Sequence, residues 1–210
     1  MCMSPPLTLS SLPLFPLGTV LYPDGRLPLR IFEVRYLDMV QKCHRAGAPF
    51  GVVSLLQGQE VRQPGHTESF VTIGTLAAIE HCHTVQAGLM EVQAKGAQRF
   101  RIIRFDRLPH GLWIADVEQV ASDPKVNIPT DLQVIALALH KVYNNLRHRQ
   151  AESQVPAEED CQWQDCAWVA NRWCELLPLP LTLKQQLLEL DNPLVRLELV
   201  GDFLGRAGIT

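Results

Sequence analysis

The hydrophobic pattern of this chain changes its period once, and that change constrains the fold more than any other feature. Before the polar stretch 121–131, apolar residues alternate or form short runs bounded by glycine and proline, which is typical of β-strands. After it they recur every three or four residues, which is typical of amphipathic helices. We therefore predict an α+β protein with a β-rich unit over residues 1–122 and an α-helical unit over residues 123–210.

The β-rich unit carries several short strand-like segments separated by about 8–12 residues, which favours a twisted antiparallel sheet or a small barrel. One helix interrupts them, ending near Gly47, and a polar Gly/Pro-containing loop is predicted from Leu56 to Ser69. The apolar stripe of that helix is predicted to comprise Phe32, Tyr36, Met39, Val40 and Cys43.

The helical unit is predicted to be a bundle of about four helices. Thr130 with Gln133 and Thr182 with Gln185 match the capping-box pattern that begins helices. Pro193 is placed at a first helical position, where its missing N–H does no harm.

Composition narrows the functional classes. The chain has 210 residues, 47% of them hydrophobic, and a formal net charge of −3, so no overall basic charge draws it to nucleic acid or to an anionic membrane. The N-terminus lacks the pattern of a signal peptide, and no apolar run has the ~20 residues of a membrane-spanning helix. The six cysteines form no C-x-x-C pair. We expect a cytoplasmic protein with reduced thiols.

No catalytic motif is visible in the sequence. A phosphate-binding loop, a G-x-S-x-G elbow and an H-E-x-x-H zinc motif are all absent. We therefore expect a protein that is not an enzyme and needs no cofactor.

The stretch His81-Cys82-His83 is the most ligand-like cluster. In a strand the two imidazoles would share one face and could hold part of a metal site. The alternative, which we favour, is two polar histidines beside a buried cysteine. Cys161, Cys166 and Cys174 do not converge on a helix, and we interpret them as buried thiols.

Arginines and tryptophans suggest two further surfaces. Arginines interleave with aromatic residues from Arg99 to Arg107, a pattern seen in single-stranded nucleic-acid binding. The acidic balance of the chain argues against that function, and one solvated sheet face is enough to explain the arginines. Trp163 and Trp168 either mark an exposed partner site or, as we favour, pack in the core beside Trp173.

Two quoted segments resemble a known family. "LPLFPLGTVLYPDGRLPLRIFEVRYLDMV" (Leu12–Val40) and "LLPLPLTLKQQLLELDNPLVRLELV" (Leu176–Val200) are similar to the start and end of the Lon protease N-terminal, substrate-binding domain. The chain departs from the family pattern at Tyr22, in place of phenylalanine, and at Asp24, which is inserted before Gly25.

The resemblance implies a PUA-like β subdomain, a pseudo-barrel with one helix, followed by a helical one. The chain stops at Thr210 without the ATPase and peptidase of full-length Lon, so it resembles the stand-alone members of the family. The matching motif residues are interpreted mainly as architectural, with Phe32 and Tyr36 in the core and with Glu33 and Arg35 able to cap or pair. Those motif residues are Pro16, Pro23, Gly25, Pro28, Ile31, Phe32, Glu33, Arg35 and Tyr36.

The expected function is non-enzymatic binding of polypeptide segments or a protein partner, by apolar docking and strand addition at an open sheet edge. The expected location is a cleft between the two units, and a protease or ATPase encoded elsewhere is a candidate partner. The partner-contact candidates are Glu33, Arg35, Trp163 and Trp168. The alternatives are an RNA-binding PUA-like domain and a metal or small-molecule site at His81 and His83.

Overall fold

Strands and helices occupy separate parts of the chain in a computed structural model, which describes residues 7–57, 69–148 and 155–209. The predicted loop between Leu56 and Ser69 therefore falls almost entirely outside the described residues. Contacts divide the chain into two compact units, Met1–Ser122 and Asp123–Thr210. The predicted α+β class is confirmed.

The first unit contains seven strands and one helix among its described residues. These elements are β1 (Thr8–Leu17), β2 (Arg26–Ile31), α1 (Val34–Ala46), β3 (Phe50–Gln57), β4 (Ser69–Phe70), β5 (Ile73–Gln86), β6 (Leu89–Arg107) and β7 (Trp113–Gln119).

Five of these strands close on themselves. Their order is β1-β7-β6-β5-β3, and β1 also pairs in parallel with β3, with Leu14 opposite Gly51. The other ladders of this ring are antiparallel. The ring is therefore a five-stranded barrel, with β4 beside β3 and with β2 outside the ring on the first part of β6.

A glycine in the long β5–β6 hairpin lets two backbone segments approach closely. The sequence pattern divides β6 near Gly96, but the structure has one continuous strand. A Cβ atom on Gly96 would lie 2.1 Å from the carbonyl oxygen of Tyr22, so only glycine fits there. The part of β6 before Gly96 extends beyond the barrel and carries β2 on its edge.

Two apolar clusters hold this unit together. One draws residues from all five strands of the ring and fills the barrel; it includes Leu14, Leu76, Phe100 and Val117. The other packs α1 against the strands through Tyr36, Met39, Val40 and Cys43, four of the five residues predicted for the apolar stripe.

The prediction that Phe32, the fifth stripe residue, lies on the buried face of α1 is wrong. The helix begins at Val34, with Glu33 as its N-cap residue, so the helical spacing from Phe32 to Tyr36 has no structural meaning. The Phe32 side chain is 57% exposed instead of buried.

The second unit contains four α-helices among the described residues, as predicted. They are α2 (Gln133–His148), α3 (Cys166–Leu176), α4 (Leu181–Glu189) and α5 (Pro193–Arg206). Pro193 does open α5, and Asn192 caps it by accepting hydrogen bonds from the N–H groups of Leu194 and Val195. No described helix is both long and apolar enough to cross a membrane.

Neither predicted capping box forms. Thr130 begins a short 3-10 turn ahead of α2 and is preceded by Pro129, and neither of these residues caps the turn with its side chain. Thr182 is the second residue of α4, and Pro180 occupies the N-cap position. In both cases a proline sets the chain direction at the start of the helix, so the threonine is displaced from the cap.

A buried arginine joins three parts of the helical unit. Arg196 of α5 is 1% exposed and donates from Nε to the carbonyl oxygen of Leu187 at 2.8 Å. Its Nη1 donates to Oδ2 of Asp123 at 2.6 Å and to Oδ1 of Asn171 at 3.0 Å. The start of the unit is therefore fastened to α3 and α5.

Candidate functional site

A cavity of about 280 Å³ lies beside β2 in the first unit. Every residue that lines it comes from the first motif segment, 12–40. The lining comprises Phe15, Leu17, Thr19, Leu27, Pro28, Leu29, Arg30, Ile31, Phe32, Glu33 and Tyr36. Apolar side chains predominate, so the cavity suits an apolar group.

The alternation of β2 gives this cavity its apolar wall. Leu27 and Ile31 are buried and Leu29 is half-buried, whereas Pro28 and Arg30 are exposed. Because successive side chains of a strand point to opposite faces, Arg30 lies on the far side, where it pairs with Glu91 at 3.5 Å. The side of β2 that carries the leucines is therefore uncharged.

One edge of β2 has no strand beside it. The strand pairs with β6 from Arg26 opposite Lys95 to Ile31 opposite Met90, and no other described strand pairs with it. A proline such as Pro28 lacks an N–H and is found on edge strands. The remaining N–H and C=O groups on the free edge of β2 can pair with an extended segment of another chain.

Two stacked aromatic rings lie on one side of the cavity. The rings of Phe15 and Tyr36 are stacked with their centroids 4.0 Å apart, and the planes differ by 20°. Tyr36 is 2% exposed and belongs to the core cluster under α1. This side of the cavity is therefore preformed.

Two apolar side chains stand in solvent at the start of α1. Phe32, which lines the cavity, is 57% exposed, and Val34 is 72% exposed. Exposed large apolar side chains grouped beside a cavity commonly mark a binding surface. We define the cavity-lining residues together with Val34 as the β2 groove.

Glu33 and Arg35, both predicted to contact a partner, form a pair with each other. Nε of Arg35 donates to Oε2 of Glu33 at 3.0 Å, with the Arg35 side chain 5% and the Glu33 side chain 21% exposed. The Arg35 guanidinium also donates to the carbonyl oxygen of Gly111 and lies 4.5 Å from the ring centroid of Tyr36. Glu33 thus remains available to a ligand, whereas Arg35 lies beneath it.

His81 and His83 are exposed on β5, with the partly buried Cys82 packed against the core between them. They line a second depression that also includes Arg30 and Glu91. Among the described residues, no group of three or more His, Cys, Asp or Glu side chains is placed to hold a metal ion.

The arginine side chains of β6 are buried or interact with neighbouring side chains. Arg101 pairs with Glu118 at 3.7 Å and Arg104 with Asp116 at 2.8 Å. Arg99 is buried, and the Arg107 guanidinium lies 5.1 Å from the centroid of the Trp113 ring. Three of these four arginines are therefore buried or matched by carboxylates, and the row offers little net charge to phosphates. RNA binding is therefore not supported.

The tryptophans of the helical unit form an aromatic cluster. Trp168 is 3% exposed, and its ring centroid lies 5.2 Å from that of the half-buried Trp163. Trp163 also contacts His140 edge-on at 4.9 Å and donates from Nε1 to Glu158 at 3.0 Å. These contacts agree with the packing alternative, and we do not include the two tryptophans in the candidate site.

The sequence analysis predicts binding in a cleft between the two units and names only Glu33 and Arg35 of this segment as contact candidates, so it does not predict the β2 groove. The sequence pattern predicts that Leu27 and Leu29 lie in a short strand and that Phe32 belongs to the core. Pro28 inside a short leucine-rich strand was the available signal, because proline is excluded from central strands.

Comparisons with known proteins agree with this architecture. A family model described as the ATP-dependent protease La (LON) substrate-binding domain matches residues 11–206. A solved Lon N-terminal domain protein from Xanthomonas campestris is 31% identical, with a TM-score of 0.72, and the match covers 91% of this chain and 97% of that chain.

A second solved structure, the N-terminal domain of Lon protease from the Mycobacterium avium complex, is 18% identical, with a TM-score of 0.58. That match covers 93% of this chain and 98% of that chain and supports the fold alone. A search of curated proteins found no match.

Proposed function

This chain belongs to the LON substrate-binding domain family, and from that premise we propose that it binds extended polypeptide segments in the β2 groove. The family is defined by a substrate-binding domain, which is not a catalytic one. The observation that carries the proposal is the exposure of Phe32 and Val34 beside an apolar cavity and a free strand edge.

Binding would combine two interactions. An extended segment pairs its backbone with the free edge of β2, which supplies affinity that is independent of sequence. Its alternate side chains then face Leu27, Leu29 and Ile31, and an apolar one enters the cavity. Apolar segments of this kind are buried in folded proteins, so the ligands would be unfolded or loosely folded chains.

Peptide affinity tests this proposal. A fluorescent apolar peptide is titrated with the wild-type protein, with Phe32→Ser and with Leu137→Ser while anisotropy is recorded. Leu137 is a matched control because it is 61% exposed but lies in the helical unit. Burying a phenylalanine side chain contributes about 2 kcal/mol, so we expect Phe32→Ser to weaken binding by about tenfold or more.

Leu137→Ser should bind as the wild type does. Equal loss of affinity in both variants, or no loss in Phe32→Ser, would contradict the groove as the binding site. A peptide N-methylated on alternate residues tests the strand pairing, because it cannot donate the backbone hydrogen bonds. It should bind much more weakly than its unmodified parent.

A further inference from the structure

Two of the residues that line the groove are charged. Of the lining residues, only Arg30 and Glu33 are charged, and the Arg30 side chain lies on the opposite side of β2 beside Glu91. Glu33 is therefore the charged side chain on the groove side of the strand.

Arg35 holds the Glu33 carboxylate without covering it. Its guanidinium engages Oε2 at 3.0 Å, whereas the structure gives Oε1 of Glu33 no hydrogen-bond partner among the described residues. The positive end of this pair is buried, with the Arg35 side chain 5% exposed, and the negative end is the more accessible one at 21%. A ligand therefore meets a fixed carboxylate oxygen.

Glu33 is the N-cap residue of α1, but its side chain makes no capping hydrogen bond. Its backbone carbonyl accepts from the N–H groups of Tyr36 and Leu37, and the carboxylate makes no cap to the helix. A carboxylate at this position commonly bonds to the first turn of its helix. Here the carboxylate pairs with Arg35 instead, and Glu33 lines the cavity together with Phe32.

We propose that Glu33 selects polypeptide segments in which lysine or arginine lies within one or two residues of the apolar side chain in the groove. This inference rests on the proposed function and names its substrate class. The ligand's cation donates to Oε1 of Glu33 and lies against the Phe32 ring, whose π face attracts cations. Arg35 acts as a positioning residue that fixes the carboxylate.

Three synthetic peptides that share one apolar core test this selectivity. They carry lysine, glutamine or glutamate beside the core, and their affinities for the full chain are measured by anisotropy. A partly exposed ion pair stabilises a complex modestly, so we expect the lysine peptide to bind roughly two- to fivefold more tightly than the glutamine peptide. The glutamate peptide should bind most weakly.

Two variants and salt locate the source of the preference. Glu33→Gln should reduce the lysine-to-glutamine ratio to about one, since the charge is lost. Glu91→Gln, which removes an exposed carboxylate from the far side of β2, should keep the wild-type ratio. In the wild-type protein the preference for lysine should vanish at about 1 M salt, because the Debye length falls to about 3 Å. This measurement does not depend on whether a variant folds.

The outcomes separate the two proposals. If all three peptides bind with equal affinity to the wild-type protein, or if Glu33→Gln keeps the preference, charge selection by Glu33 is overturned and groove binding stands. If none of the peptides binds, groove binding itself is overturned, and charge selection with it.

Discussion

The Nη1 atom of Arg35 donates a hydrogen bond to the carbonyl oxygen of Gly111 across 2.8 Å, joining residues 76 positions apart. Gly111 lies in the turn between β6 and β7, and Arg35 lies in the first turn of α1. The contact fastens the start of α1, and with it Glu33, to the barrel. The geometry of the β2 groove therefore depends on a residue that no ligand has to touch.

Replacing Arg35 with methionine tests that fastening. The change leaves the Gly111 carbonyl and the Glu33 carboxylate without their donor, and we expect a loss of about 2–4 kcal/mol in the free energy of unfolding. Urea unfolding followed by circular dichroism measures it. Arg30→Met removes an exposed arginine with a 3.5 Å ion pair and should cost less than about 1 kcal/mol. Equal losses in the two variants would contradict the role given to Arg35.

The helical unit depends on Arg196 in the same way. Arg196→Met leaves Asp123 and Asn171 without their shared donor in a buried setting, and the expected loss is about 3–5 kcal/mol. Urea unfolding followed by tryptophan fluorescence reports on it, because three of the four tryptophans lie in this unit. Arg206→Met, an exposed change in the same helix, should leave the midpoint within experimental error.

The local hydrophobic period predicted most helices and strands, but it could not predict which strands distant in the sequence pair with each other. One face of α1 packs against the core, so its apolar residues recur at helical spacing and can be recognised from the local sequence. These residues are Tyr36, Met39, Val40 and Cys43. The parallel pairing of β1 with β3 closes the barrel, but it joins strands separated by a helix. No local pattern specifies which strands meet.

The groove was only partly predictable for a related reason. Periodicity assigns Phe32 to the stripe of α1, because its spacing from Tyr36 is one helical turn. The helix begins two residues later, and a shift of that size at a boundary turns a core residue into a surface one. The sequence analysis allows Glu33 and Arg35 to form a pair. It does not predict that Arg35 is buried, because the burial depends on the contact with Gly111, which is distant in the sequence.

Gly96 is predicted to be intolerant of any side chain. Gly96→Ala places a Cβ 2.1 Å from the Tyr22 carbonyl oxygen, so the backbone must shift. We expect a loss of about 2 kcal/mol or more in the free energy of unfolding, measured by urea unfolding. Gly205→Ala is the control, because its Cβ meets nothing within 4 Å in α5. That change should stabilise the protein by up to about 1 kcal/mol.

The stability should fall in alkaline solution, in part through Cys166. Burial, with help from the charge of Asp165, raises the pKa of the Cys166 thiol from 9.0 to about 11. The unfolded chain therefore loses this proton first, and stability that is complete below pH 9 declines as the pH rises towards 11.

Cys166→Ala should make this decline shallower, by up to about 2 kcal/mol across that range. Urea unfolding of both proteins at pH 8, 9, 10 and 11 measures the difference. The variant should keep a further loss above pH 10, because burial also raises the pKa of Tyr143. Parallel curves for the two proteins would show that Cys166 ionises alike in both states.

Mapping a bound peptide onto the chain by NMR tests the central claim most directly. An unlabelled apolar peptide with a lysine beside its core is titrated into ¹⁵N-labelled protein, and amide shifts are followed to saturation. We predict that the largest shifts fall on the amides of β2 and of the start of α1, from Leu27 to Val34. Saturating peptide that leaves these amides unchanged, or that shifts only residues of the helical unit, would contradict the β2 groove as the polypeptide-binding site.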